Sequence, residues 1–329
     1  MINVQLREVV SSLYELGFQK IQSIKIVKDG INSCVFKFKF NGKNLVVKRY
    51  KHKENFRIKR EELFYKYLQR INNKNILKPI LFSVKLNLSI FPYISGSTIK
   101  KINIDHIKVL SNFINQINNQ KVLISLPLAI DGIKDRNDHL KLCEKKINEL
   151  KAIKIDSLIK KNFSNFLNKN IIPKFCEIKK KFYLDKNNFL PKMKLTKKEM
   201  IVSPSDFGFH NIIKNKNNFF FIDFEYAGLD DPIKFLCDFY CQPDQYISLQ
   251  KKKFFLEKLK FTNYSTNKLH AYTNLFLPFH KLKWCCIILN IFKNNKFLRN
   301  NKNIKLRNKL MKTQLIKSKI YFEKNFGGN

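Results

Sequence analysis

The sequence predicts an α+β chain of two lobes, a small mixed β-sheet lobe over residues 1–95 and a larger, mainly helical lobe over 96–329. Three observations predict it. Two alternating, β-rich runs flank Asn41–Gly42, a strong short-range signal for a hairpin. Beyond Gly96 the apolar spacing turns helical. That helical stretch is interrupted by two short β elements, near Met200–Ser203 with Ile212–Lys214 and near Phe219–Phe224.

In chain order, residues 1–20 read as an amphipathic helix without the basic start, apolar centre and small-residue cleavage site of a signal peptide. Strands follow at QSIKIV (22–27), CVFKFKF (34–40) and LVVKRY (45–50), the first two joined by the turn KDGINS. A helix spans about 53–71, then come short strands around ILKPILFSV and LNLSIFPYI. Further helices are expected at about 101–119, 135–152, 155–185, 234–260, 265–296 and 303–325. The segment 185–198, rich in lysine and asparagine, reads as an exposed connection.

Composition narrows the classes. A hydrophobic fraction of 44% and an aromatic fraction of 13% fit a folded chain with substantial cores. The most apolar stretch, Trp284–Phe292, falls short of the roughly 20 residues of a membrane span and reads as a buried helix. Seven cysteines without framework or zinc-ligand spacing argue for reduced thiols and a cytoplasmic setting. The net charge of +39 suggests nucleic acid, but the lysines are scattered, and Asn, Ile and Phe are over-used as an AT-rich genome would dictate. Charge excess alone supplies only non-specific affinity, so no specific nucleic-acid partner is expected.

The chemistry lies in SPSDFGFHN and FFFIDFEYAGLDDP. Asp206 and Asn211 are five residues apart, and Asp223 lies twelve beyond Asn211. Phosphoryl transfer from ATP-magnesium needs one carboxylate to accept the proton of the attacking hydroxyl and further hard oxygens to hold magnesium. His210, beside Asn211, reads as structural, since a carboxylate suffices for a hydroxyl. Lys48, among Leu45, Val46 and Val47, needs an anionic partner if buried. Glu61, on one helix face with Phe64 and Leu68, supplies it, and such a pair aims an ammonium at the α- and β-phosphates. In the first turn, Gly30 permits positive φ, and the amides of Ile31, Asn32 and Ser33 could cover phosphate oxygens; a plain hairpin fits these residues equally well. Only seven residues separate Asp223 from Asp231, too few for a peptide-binding platform, so a small acceptor is expected.

These motifs resemble the aminoglycoside phosphotransferase and choline kinase group of the protein-kinase-like fold. The resemblance rests on D-x-x-x-x-N, on an apolar strand ending in I-D-F-E, on the G-x-x-D-P-type turn and on FPYISG, which is similar to the group's hinge. It covers about residues 25–245. Within the group, SPSDFGFHN, DFEYAGLDDP and the LPLA-containing insert (about 100–185) look most like phosphotransferases that accompany bacterial surface-polysaccharide genes. The resemblance implies Asp206 as base, Asn211 and Asp223 as magnesium ligands, and Lys48 with Glu61 on the phosphates. It also implies that the Pro92 carbonyl and Ile94 amide meet adenine. Two departures stand out: Pro204-Ser205 replaces the usual His-Gly before Asp206, and Phe235 stands where the group has Asp, with Asp238 three residues later.

The sequence thus points to a kinase that uses ATP and magnesium to phosphorylate a small hydroxyl acceptor, a neutral or anionic sugar or sugar-derived precursor rather than a polycation. The alternatives are a nucleotide-binding pseudokinase scaffold and, behind it, a basic nucleic-acid-binding protein. Oligomeric state, acceptor identity and the choice of ATP or GTP have no readable signature.

Overall fold

The structure, a computed structural model, describes residues 2–30, 32–51, 55–119, 125–153, 159–188, 194–293 and 304–327. The chain forms two compact units: 1–130 with 202–229, and 131–201 with 230–329. The first holds the whole of residues 1–95 together with the two motif segments up to residue 229.

In the first unit, α1 (Ile2–Glu15) precedes β1 (Ile21–Asp29), β2 (Ser33–Phe40) and β3 (Lys43–Tyr50). Then come α2 (Phe56–Arg70), β4 (Leu81–Ser83) and β5 (Leu88–Pro92). These strands form an antiparallel sheet in the order β1-β2-β3-β5-β4, which puts β3 at its centre. The hairpin turn is as expected: Asn41 (φ 47°) and Gly42 (φ 76°) both take the left-handed backbone that a tight β2–β3 turn requires. Alternation along the strands sorts the two faces. Cys34, Phe36, Phe38, Leu45, Val47, Leu88 and Ile90 pack under Val9 and Leu13 of α1. Register places Val35, Lys48 and Ser89 side by side on the opposite face. There α2 brings Tyr65 against Phe91 (ring centroids 5.2 Å apart) and Phe64 against Phe224 (4.9 Å).

The rest of this unit is built around α3 (Ile104–Asn118), which follows the short strand β6 (Ser97–Thr98). After β7 (Ile201–Ser203), the strands β8 (Ile212–Asn215) and β9 (Asn218–Phe221) form a hairpin, with β6 on the free edge of β8. Phe113 of α3 stacks on Phe221 at 3.9 Å and on Phe207 at 6.2 Å, so one aromatic column supports both motif segments. The Asn118 amide accepts from Val202 N at 2.8 Å and donates to Val202 O at 3.0 Å, pairing with β7 as a neighbouring strand would.

The LPLA segment runs beside β10 (Gly228–Asp230), with Leu229 N donating to Pro127 O and Ala129 N to Leu229 O. The approach is close enough that a Cβ at Gly228 would stand 2.4 Å from Pro127 O, so only glycine fits.

The second unit is helical: α4 (Asp138–Lys151), α5 (Lys160–Phe166), α6 (Ile172–Asn188), α7 (Pro232–Tyr240), α8 (Leu249–Lys258), α9 (Thr266–Ile288) and α10 (Ile304–Phe326). The expected helix 155–185 continues through α5 and α6 with one π turn, Leu167–Ile171, just before Pro173, which has no N–H to donate. The expected helix 234–260 is two helices. Cys241 ends α7, Pro243 follows in the connection, and Ser248 caps α8 by accepting from Lys251 N. A further correction concerns hydropathy. Thr266–Lys293 is long and apolar enough, by length and composition, to cross a membrane, with a mean hydropathy of 1.4 over its most apolar window. Half of that window is buried inside the protein, where α9 packs on α4, α7 and α10.

This unit also buries a polar chain. Asp231 caps α7 by accepting from Ile233 N and meets Arg136 Nε and His139 Nε2, each at 3.2 Å. His139 contacts His280 at 2.7 Å, and His280 contacts Asp238 at 3.0 Å. Lys234 bridges Asp230 (2.8 Å) and Asp238 (3.2 Å). Burial, with Lys283 nearby, pushes His280 down to about 3, so its ring is held neutral. Burial likewise lifts the Asp230 carboxyl to about 6, against the pull of Lys234. The departure at Phe235 has a structural answer: Phe235 is fully buried, and Asp238 is the acid that anchors Lys283, His280 and Lys234.

Candidate active site

Lys48 is the pivot. Central on β3 and 6% exposed, its ammonium lies 2.7 Å from Glu61 Oε2, 2.6 Å from Asp223 Oδ1 and 3.2 Å from Glu225 Oε2. Burial by itself would depress the lysine; Asp223 and then Glu61 reverse that and hold it well above its ordinary value, so it stays charged. Burial raises Glu61, and Lys48 counters only part of the rise. Asp223 feels the same penalty, but the Lys48 ammonium outweighs it and the carboxyl is held below its usual range.

Glu61 is fixed by more than the lysine. Its Oε2 also accepts from the Tyr50 hydroxyl at 2.6 Å, and its Oε1 accepts from Phe224 N at 3.1 Å. One α2 carboxylate therefore clamps the central strand and the Asp223 segment together. Arg57, one turn earlier on α2, donates to Glu225 Oε1 at 3.0 Å and lies over the Tyr226 ring at 4.6 Å.

The two motif segments meet through the backbone. Ile212 pairs with Phe221, and Ile222 N donates to Asn211 O at 3.0 Å, which sets Asn211 beside Asp223. The expectation that Asp223 closes a buried strand needs correcting: β9 ends at Phe221, and Asp223 itself takes φ 68°. Such a backbone is uncommon for a residue with a Cβ and costs of order 1–3 kcal/mol, so the surrounding contacts must hold it. Asn211 donates from Nδ2 to Asp206 O (2.9 Å) and to Asp206 Oδ2 (3.3 Å). His210 Nε2 lies 3.4 Å from Asp206 Oδ1. Asp206 is 38% exposed and so accessible to a substrate.

The loop before Asp206 explains the missing His-Gly. Asp206 N donates to Pro204 O at 3.0 Å, a tight three-residue turn whose centre, Ser205, has φ 65°. The position that usually carries glycine thus demands a glycine-like backbone, and serine adopts it. Buried Ser203 supplies a brace, its Oγ accepting from Ser205 N at 3.0 Å.

An oxygen-rich metal site is compatible with these residues. Asn211 spends its Nδ2 on Asp206, and Asp223 spends Oδ1 on Lys48. Among the described residues no hydrogen bond reaches Asn211 Oδ1 or Asp223 Oδ2, so two hard oxygens remain for a cation such as magnesium. Glu61, Asp223 and Glu225 also bring carboxylate oxygens within 4.8 Å of one another, but Lys48 already occupies their midst.

The remaining expected positions fall as follows. Gly30 does not use its freedom: the positive-φ glycines among the described residues are Gly17 and Gly42. Gly30 N instead bonds Ser33 O at 2.9 Å, and Ile31 lies outside the described residues. The Asn32 side chain donates to the Tyr226 hydroxyl at 2.8 Å. Pro92 ends β5 opposite Leu45, Tyr93 N bonds Asn44 O, and the Ile94 amide donates to none of the described residues. An open recess of about 710 Å³ beside this segment is lined by Lys37, Asn44, Leu45, Pro92 and Tyr93, without Lys48, Asp206 or Asp223. Glu225, Tyr50, Arg57 and Tyr226 escaped the sequence reading. Glu225 stood within the quoted motif, whereas Arg57 had no signal in a chain so rich in cations.

No family profile matches the sequence, and no curated protein matches it. Solved structures do. Spectinomycin phosphotransferase APH(9)-Ia, in complex with ADP and spectinomycin, superposes with a TM-score of 0.64 at 15% identity over 96% of this chain and 98% of that one. Plasmodium vivax ethanolamine kinase gives 0.59 at 18% identity over 94% and 86%. Choline kinase LicA from Streptococcus pneumoniae gives 0.59 at 13% over 97% and 99%. The chain therefore has the protein-kinase-like fold of the aminoglycoside phosphotransferases and choline kinases.

Proposed function

We propose that this protein is a small-molecule kinase that moves the γ-phosphoryl group of ATP to a hydroxyl of a sugar or sugar-derived precursor. The observation that carries the reading is the junction of Lys48, Glu61 and Asp223 beside Asp206 and Asn211, in a fold shared with small-molecule phosphotransferases. Spectinomycin phosphotransferase is solved with ADP and with AMP, and aminoglycoside phosphotransferase APH(2'')-Ib, of the same fold, with ADP, which supports a nucleotide site.

In this reading Lys48, kept charged by its carboxylates, meets the nucleotide phosphates. Asn211 and Asp223 offer their remaining oxygens to magnesium, which when bound neutralises charge on the phosphates. Asp206 accepts the proton of the acceptor hydroxyl, oriented by the Asn211 amide. The hinge carbonyl of Pro92 and amide of Ile94 are assigned to adenine, and the lobes to residues 1–95 and 96–329. A cytoplasmic setting fits a consumer of ATP whose cysteines are all free among the described residues.

Polycationic acceptors are set aside on charge. With 64 basic and 25 acidic residues, the chain repels a cation at long range, although salt screens this beyond about 8 Å.

The test is an acceptor panel with ATP and magnesium, read by ADP release and mass gain, set beside a thermal-shift series. Neutral or acidic sugars should be phosphorylated. ATP-magnesium should stabilise wild type, protect Asn211→Ala less, and leave Asp223→Ala unprotected. Turnover of kanamycin-type compounds or choline alone would overturn the acceptor class. Equal protection of Asp223→Ala would overturn the metal role. A protein that binds ATP-magnesium without any turnover would be the pseudokinase alternative, and one whose main affinity is a steeply salt-dependent one for DNA or RNA would be neither.

A further inference from the structure

The loop between β1 and β2 is anchored on both sides. Gly30 N bonds Ser33 O at 2.9 Å, and Lys51 N bonds Asn32 O at 2.8 Å. Lys51 Nζ reaches back to Gly30 O at 2.6 Å and to Asp29 Oδ1 at 2.5 Å. These bonds hold the loop to its own hairpin. Among the described residues, the Asn32 side chain leaves it: Asn32 Nδ2 donates to the Tyr226 hydroxyl at 2.8 Å, across 194 residues of sequence.

Tyr226 is well prepared to receive it. The Arg57 guanidinium covers its ring at 4.6 Å while bonded to Glu225, which in turn faces Lys48 at 3.2 Å. Tyr226 O accepts from Ile130 N at 3.0 Å, which fixes its backbone. Burial raises the phenol above its ordinary value. Tyr226 lies three residues after Asp223 in one continuous segment, whose Phe224 N is itself held by Glu61.

We propose that Tyr226 is a positioning residue that tethers the β1–β2 loop to the Asp223 segment through Asn32. The tether joins the Asn32 end of the loop to the Asp223 segment as one rigid element, so that this end of the loop is held in place before nucleotide binds instead of being ordered at binding. Asn32 then acts through its side chain on Tyr226, beyond the plain hairpin role that the loop sequence equally allows. The consequence for nucleotide rests on the phosphotransferase reading; the tether itself does not.

Two readouts on the full chain separate them. In the ligand-free protein, Tyr226→Phe removes only the acceptor oxygen. Loss of one neutral hydrogen bond should speed hydrogen exchange in peptides covering the β1–β2 loop by about threefold to tenfold, with exchange in α9 unchanged. Asn32→Ala should do the same, and the double variant should add nothing further. Affinity for ADP-magnesium should fall by a similar factor in all three variants. If turnover is found, KM for ATP should rise in Tyr226→Phe while kcat at saturating ATP stays within about twofold, because the tether orders the loop and not the acceptor. Unchanged loop exchange in both single variants, or single effects that multiply in the double, would overturn the tether. If wild type binds no nucleotide, the phosphotransferase reading falls, and the exchange arm still decides whether Tyr226 holds the loop.

Discussion

Replacing Lys48 by methionine keeps the length of the side chain and deletes its charge. In wild type the ammonium sits among Glu61, Asp223 and Glu225, with Arg57 on the far oxygen of Glu225. Two cations thus face three carboxylates. Removing Lys48 leaves three carboxylates, with oxygens within 4.8 Å, facing one guanidinium. Glu61 and Glu225 are 1% and 3% exposed, so water cannot screen the loss. Breaking a buried ion pair from one side costs about 3–5 kcal/mol, and the better-solvated Asp223 argues for the lower half of that range.

The cost should shrink in acid. Burial already raises the Glu61 carboxyl, and without Lys48 it rises further, so the folded variant takes up a proton that relieves the repulsion. Urea denaturation followed by circular dichroism at about pH 7.5 and about pH 5.5 gives both numbers. The variant should lose about 3–4 kcal/mol at the higher pH and recover at least about a third of it at the lower. Added magnesium or calcium should raise its Tm, since a divalent cation can replace the missing charge. A loss below about 1 kcal/mol at neutral pH would refute the reasoning, because it would mean that the carboxylates do not depend on the lysine.

Ser205→Gly should stabilise the protein by about 0.5–1 kcal/mol, since φ 65° costs a residue with a Cβ more than glycine loses in chain entropy; a loss above about 1 kcal/mol would show that the serine side chain holds the turn. Asp230→Asn tests the buried chain through pH: the Asp230 carboxyl is raised from 3.8 to about 6, so its contribution is present below about pH 4 and lost as pH rises through 6. The stability of wild type minus that of Asp230→Asn should therefore fall by roughly 2–3 kcal/mol between about pH 4 and 7 in paired denaturation curves, and a flat difference would mean that Asp230 titrates normally.

The sequence carried the β1–β2–β3 meander because strand alternation and Asn41–Gly42 are local signals, and local signals survive without tertiary context. It carried Lys48 with Glu61 because helix spacing fixes which α2 residues face the sheet. It missed the end of β9 because a run of aromatic residues reads as strand until a backbone turn intervenes, and the left-handed turn at Asp223 is imposed by contacts from Lys48 and from Glu61 to Phe224 N, far away in sequence. It joined α7 to α8 because the periodicity on either side of Pro243 is similar. The Asn32–Tyr226 and Arg57–Glu225 bonds span 194 and 168 residues, and no spacing rule reaches that far.

Asp206→Asn tests the central claim most directly. The amide keeps the size of the side chain and removes the proposed proton acceptor, while Lys48, Asn211 and Asp223, the proposed holders of nucleotide and metal, remain. With the best acceptor from the panel, kcat should fall by about two to four orders of magnitude, and the affinity for ATP-magnesium should change by less than about threefold. A variant that retains more than about half of wild-type turnover would contradict the account, because loss of a working general base costs far more than a factor of two.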